Sequence, residues 1–178
     1  VIVRIAGIDP GISGAVAVID TADVGVFVVV DISDIPTLGD AAKRELDDLS
    51  LIGWLKEFRP DHVYLENVRA MPSIPGPDGV RRAMGVVSAF KFGFVAGQIR
   101  TCVRGCKVPF TLVEPVRWKR ATGLKGGLEG KEQARQTAIR LFPEAHGALN
   151  LKRHHNRAEA LLIARWGILH GDHIARAA

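Results

Sequence analysis

Three carboxylates in this chain stand where an acid needs explaining. Asp9 closes a largely apolar run, VIVRIAGI, and Pro10, Gly11, Ser13 and Gly14 follow it at once. Glu66 closes a second short run, HVYLE at 62–66. Glu159 lies inside an apolar stretch, between Ala158 and Ala160-Leu161-Leu162-Ile163-Ala164. A carboxylate in apolar surroundings is costly unless it has a partner. Like charges brought together repel, and a divalent cation is the usual relief. Hard oxygen ligands with open positions favour Mg²⁺ or Mn²⁺. Two such ions about 4 Å apart can activate a water and stabilise the leaving oxygen in phosphodiester hydrolysis. Asn156 lies three residues before Glu159, on the same helical face, where a fourth and here neutral ligand is expected. His154 and His155 read as exposed helix-start residues facing solvent or phosphate rather than as metal ligands. Taken alone, Asp9 is equally well a turn residue in a β-hairpin.

The elements must decide whether these acids meet. Residues 1–9, 14–20 and 25–31 read as three strands with short links, an antiparallel meander. A helix is predicted from about Asp40 to Phe58, with Leu46, Leu49, Ile52 and Leu55 as its apolar stripe. Residues 62–66 form a strand, and the Pro- and Gly-rich 69–79 a loop. A long helix is predicted over Val80–Arg104 and a strand over 108–113. A short helix follows at 114–123, with proline near its start and glycine at its end. Residues 124–130 read as a Gly-rich loop, Lys131–Phe142 as a helix, 146–154 as irregular, and Arg153–Leu169 as the last helix. The order β-β-β-α-β-α-β-α-α-α predicts an α/β domain over residues 1–178, one mixed five-stranded sheet with helices on both faces. Its central strands would put Asp9 and Glu66 side by side at one edge, and a helix crossing that edge would bring Glu159 to them.

Composition points to a polyanionic partner. Residues 1–61 carry 5 Lys/Arg against 11 Asp/Glu, net −6, and residues 62–178 carry 19 against 8, net +11. A basic two-thirds suits nucleic acid. The two cysteines, Cys102 and Cys106, lack a second pair for a zinc site and read as buried thiols in a reducing, intracellular setting. Uncharged apolar runs are far shorter than a membrane span, so no membrane partner is expected.

Four short motifs in order carry a family resemblance: GIDPG at 7–11, YLEN at 64–67, EPVRWKRATG…GKEQAR across 114–135, and HHNRAEALLIA at 154–164. Together they resemble the RuvC family of Holliday-junction resolvases, in a form closer to the phage or chloroplast type. The resemblance implies an RNase H-like fold and Mg²⁺-dependent (or Mn²⁺-dependent) paired nicking of four-way DNA junctions by a homodimer, with no nucleotide cofactor. It implies an intracellular location: a bacterial or phage-infected cytoplasm, or a chloroplast. Carried over by position, Asp9, Glu66, Asn156 and Glu159 are metal ligands and catalytic residues. Lys131 joins them as a catalytic cation or phosphate anchor. Lys119, Lys125, Arg81, Arg82 and Lys91 are candidate DNA contacts. Met71, Pro72 and Ile74 stand where the family often inserts a side chain at the crossover. Asn156 departs from the family's Asp (His in some members). Two accounts stay open: an introduced Asp→Asn change, or a natural variant using Asn156 or His155 as a weaker ligand. The long helix, with Gly85, Gly93 and Gly97 and Phe90, Phe92 and Phe94, is a candidate dimer face, unless those phenyl rings pack into the core.

Rival readings are a catalytically silent junction binder, an actin-like nucleotide-binding domain, and an RNase H-like nuclease acting on RNA–DNA hybrids. The actin-like reading would need a second glycine turn and a longer chain.

Overall fold

The computed structural model describes residues 2–22, 25–40, 43–69, 74–75, 81–82, 84–125 and 127–171. Strand β1 (Val3–Asp9) pairs antiparallel with β2 (Ala15–Thr21), and β2 with β3 (Phe27–Asp34). On its other side β1 pairs parallel with β4 (His62–Glu66), which pairs parallel with β5 (Phe110–Val113). The five-stranded sheet therefore runs β3-β2-β1-β4-β5, mixed as the element order predicts.

Strand alternation divides the core in two. Ile5, Ala15, Ala17, Ile19 and Tyr64 face one side. There they meet helices α3 (Pro115–Ala121), α4 (Gly127–Leu141) and α6 (His155–His170), with the one-turn helix α5 (His146–Leu149) alongside. Ala6, Ile8, Val16, Val18, Val63 and Leu65 face the other side, under α1 (Asp48–Phe58) and α2 (Val86–Gly105). Both faces of the central strands are buried, which is why β1 and β4 read as continuous apolar runs. The odd residues of β1 and the even residues of β4 look toward α6, and Asp9 and Glu66 belong to those two sets.

Helix α6 lies unusually close to β1. A Cβ on Gly7 would stand 2.1 Å from the Ala160 carbonyl oxygen and 2.4 Å from the Ala164 nitrogen. Only a residue without a side chain fits there, and the alanines of α6 allow the same approach from the other side. Arg157 fixes the start of the helix: its guanidinium forks onto the Asp34 carboxylate at 2.6 and 2.7 Å and also donates to the Ala148 carbonyl.

Several boundaries differ from the sequence expectation. The helix predicted from Asp40 begins at Asp48, because Thr37–Leu38 and Glu45–Leu46 form a small antiparallel ladder first. Leu46 is buried as a strand residue, while Leu49 is 76% exposed; Ile52 and Leu55 pack on the core as expected, joined by Leu51. Asp47 caps this helix, its side chain accepting from the Ser50 amide at 3.0 Å. Arg81–Arg82 do not open the long helix but pair with Ile74–Pro75. The Gly-rich 124–130 is helical from Gly127, and 146–154 holds short helical turns rather than irregular chain. Cys102 is buried and Cys106 half-buried, both free. Helix α2 is long and apolar enough by composition to cross a membrane. Here its Val95, Ile99, Cys102 and Val103 pack on the sheet side, while Lys91, Arg100 and Arg104 are exposed.

Candidate active site

The parallel register pairs Ile8 with Leu65, so one step further Asp9 and Glu66 leave adjacent strands together. Helix α6 crosses this end of the sheet and delivers Glu159. Carboxylate oxygens of the three residues all lie within 4.8 Å of one another, and the residues are only 9, 9 and 7% exposed. Among the described residues they are the group of potential ligands so gathered.

Such a cluster is short of positive charge. Burial, then the charges of Glu159 and Glu66, push the Asp9 pKa well above the ordinary carboxylate value. Glu66 is raised by burial too, against an opposing hydrogen bond from Trp118. That bond runs from the buried indole Nε1 to Glu66 Oε1 at 2.9 Å. The neighbouring Lys119 reaches both oxygens of Glu159 at 3.3 and 3.4 Å. One ammonium beside three carboxylates leaves the charge unbalanced. Three converging hard oxygen donors in a protected site fit a divalent cation of the magnesium kind.

The turn after Asp9 is shaped by its glycines. Gly11 has φ +137°, and Gly14 donates to the Gly11 carbonyl at 3.0 Å. A Cβ on Gly14 would stand 2.0 Å from the Asp9 carbonyl oxygen. These glycines are thus required to fold the turn back under Asp9. Asn156 lies one helical turn before Glu159, and its amide donates to the Ser13 carbonyl in this same turn.

The remaining sequence candidates divide. Lys119 sits inside the carboxylate cluster, half-buried, rather than on an open DNA-facing surface. Lys131 is exposed on α4, near enough for its charge to favour ionised Asp9. Lys125 is exposed and pairs with Glu129 at 2.9 Å. Lys91 is exposed on α2, in the layer across the sheet. Arg81 and Arg82 are described only in their strand pairing, as is Ile74, while Met71 and Pro72 lie outside the described residues. His154 is buried, not exposed; burial, then Arg157 and Arg153, lower its pKa, and its Nδ1 faces the Leu151 amide at 3.4 Å. His155 Nδ1 faces the Lys152 carbonyl. Neither ring belongs to the acidic cluster.

Two contributors were not read from the sequence. Trp118 is one, and its place beside Lys119 in a short basic helix was the available signal. Glu114, preceding α3, is the other: it accepts from Asn67 and Arg69 and ties down the chain leaving β4.

The sheet order, the flanking helices and the acids at the ends of β1 and β4 give an RNase H-like fold with a candidate carboxylate metal site. No family model matches the chain. It is similar to T. thermophilus RuvC in complex with Holliday junction substrate, at TM-score 0.62 and 21% identity, over 91% of this chain and 90% of that one. A second structure, Thermus thermophilus RuvC, aligns at TM-score 0.57 and 21% identity over 90% of each chain. Among curated proteins it is 44% identical over 113 residues to the chloroplastic Holliday junction resolvase MOC1 of Chlamydomonas reinhardtii. That match takes in 63% of this chain but only 12% of the relative. The fold is that of RuvC, and the resemblance in the short motifs leads to the same relatives.

Proposed function

We propose that this chain is a single RNase H-like nuclease domain that resolves four-way DNA junctions by metal-dependent hydrolysis of phosphodiester bonds. The observation that carries the reading is the meeting of Asp9, Glu66 and Glu159 at one end of the sheet. The similarity to a protein named as a Holliday junction resolvase supports the substrate. Asp9, Glu66 and Glu159 would hold Mg²⁺ (or Mn²⁺), with Asn156 as a weak fourth group at the rim. The bound metal supplies water activation and stabilisation of charge on the scissile phosphate. Lys131, exposed beside Asp9, attracts the phosphate and offsets the charge that grows on it. Lys119 balances Glu159 within the site. Exposed cations such as Lys91 and Lys125 hold the DNA backbone without reading sequence, with Arg81, Arg82 and Met71 as further candidate contacts. The setting is intracellular.

A four-way junction needs two symmetric nicks, and a two-fold dimer matches that symmetry. Helix α2 is the candidate face. Val86, Val87, Phe90 and Phe94 are exposed, the two phenyl rings stack at 6.3 Å, and no described residue stands within 4 Å of a Cβ built on Gly93 or Gly97. An apolar stripe of this kind on a basic protein suits a second copy better than water.

The silent-binder reading stays alive through Asn156, since a neutral amide in place of an acid weakens metal binding. Competition binding without metal tests the substrate class. A labelled four-way junction should displace linear duplex and RNA–DNA hybrid at least tenfold; equal competition by the hybrid would move the reading to a general RNase H-like nuclease.

A further inference from the structure

Of the three clustered carboxylates, Glu66 is held by a feature that nothing so far explains. Trp118 is wholly buried in α3, and a buried indole N–H must find an acceptor. It finds Glu66 Oε1 at 2.9 Å, although a backbone carbonyl would serve its own needs equally well. The face of the same ring lies 5.0 Å from the Lys119 ammonium, which in turn reaches Glu159. Glu114, at the head of α3, accepts from Asn67 and Arg69 just beyond Glu66. The short helix therefore holds the strand end, the Glu66 carboxylate and the counterion of Glu159 together. Without that hold, repulsion from Asp9 and Glu159 favours any rotamer that turns Glu66 away.

We propose that Trp118 is a positioning residue for the metal site, its indole N–H fixing the rotamer of Glu66 and its ring face seating Lys119. Hydrogen bonds to ligating carboxylates set ligand geometry, and their loss typically lowers metal affinity about 10–100-fold. The proposal rests on the metal-site reading above and adds a residue to it.

The test uses Mn²⁺ binding by calorimetry to the full chain without DNA, for the parent and Trp118→Phe. Phenylalanine keeps an aromatic face but has no N–H. The expected result is a loss of Mn²⁺ affinity of about tenfold or more, with metal-free junction binding within twofold of the parent. Should Trp118→Phe unfold, benzothienylalanine at position 118 keeps the bicyclic shape and removes only the donor; the same loss is expected. Equal Mn²⁺ affinity in a folded variant overturns the positioning role and leaves the metal site standing. A parent that binds no Mn²⁺ overturns both. A fall in junction binding as large as the fall in Mn²⁺ affinity shows a general packing role and overturns the proposal.

Discussion

At the residue scale the site turns on charge. Asp9 is a buried acid whose pKa is held up by burial, then by Glu159 and Glu66. The folded, metal-free chain keeps a proton that the unfolded chain releases near pH 4. Stability from this group is therefore fully present below that pH and is lost as pH rises toward the folded-state pKa. Asp9→Asn cannot ionise, so its stability relative to the parent should grow as pH rises above 4, by about 1.4 kcal/mol per pH unit until the raised folded-state pKa is reached. Added Mn²⁺ should close the gap by stabilising the parent alone. Urea unfolding at several pH values measures this, and a gap independent of pH would contradict it. Asp9, Glu66 and Glu159 were legible in the sequence because each interrupts or ends an apolar run, where an acid has no cheap explanation. Trp118 was not, because a tryptophan reads as core; only the packed structure shows which acceptor its N–H meets.

At the element scale the site depends on how closely α6 lies on β1. That distance is set by Gly7 and by the alanines opposite it, Ala160 and Ala164. Gly7→Ala would drive a methyl group into helix backbone, which cannot swing aside as a side chain can. We expect a loss of about 1–3 kcal/mol in urea unfolding, together with weaker Mn²⁺ binding as Glu159 is pushed away from Asp9. An unchanged midpoint would mean the helix can retreat without cost. The main strands were legible as short apolar runs bounded by turn residues and charges. The start of α1 was not: Leu46, Leu49, Ile52 and Leu55 keep helical spacing, yet Leu46 belongs to a two-residue ladder and Leu49 faces solvent. Asp47, three residues before Ser50, was the overlooked capping signal. The glycines of 127–130 misled in the other direction. The helix forms despite their low propensity, and Gly130 packs where a Cβ would lie 2.0 Å from the Lys125 carbonyl oxygen at the turn that precedes it.

At the scale of the whole molecule, an acidic first third and a basic remainder share one sheet. The basic part supplies α3, α4 and α6, three of the elements around the carboxylates, so the excess positive charge and the acidic cluster lie together. The exposed apolar stripe of α2 lies on the other side of the sheet from those helices. Pairing through α2, as proposed, is tested by sedimentation velocity: the parent should run as a dimer and Phe90→Glu as a monomer, with Mn²⁺ binding unchanged; a parent already monomeric at micromolar concentration would remove α2 as a dimer face. The most direct measurement of the central claim is strand-by-strand mapping of cuts on a labelled four-way junction with Mg²⁺, comparing the parent with Asn156→Asp. A fourth acid at this position should raise the cutting rate at least tenfold, with nicks placed symmetrically on two opposing strands and linear duplex left intact. No nicking by Asn156→Asp, or cutting of linear duplex as fast as of the junction, would contradict the account.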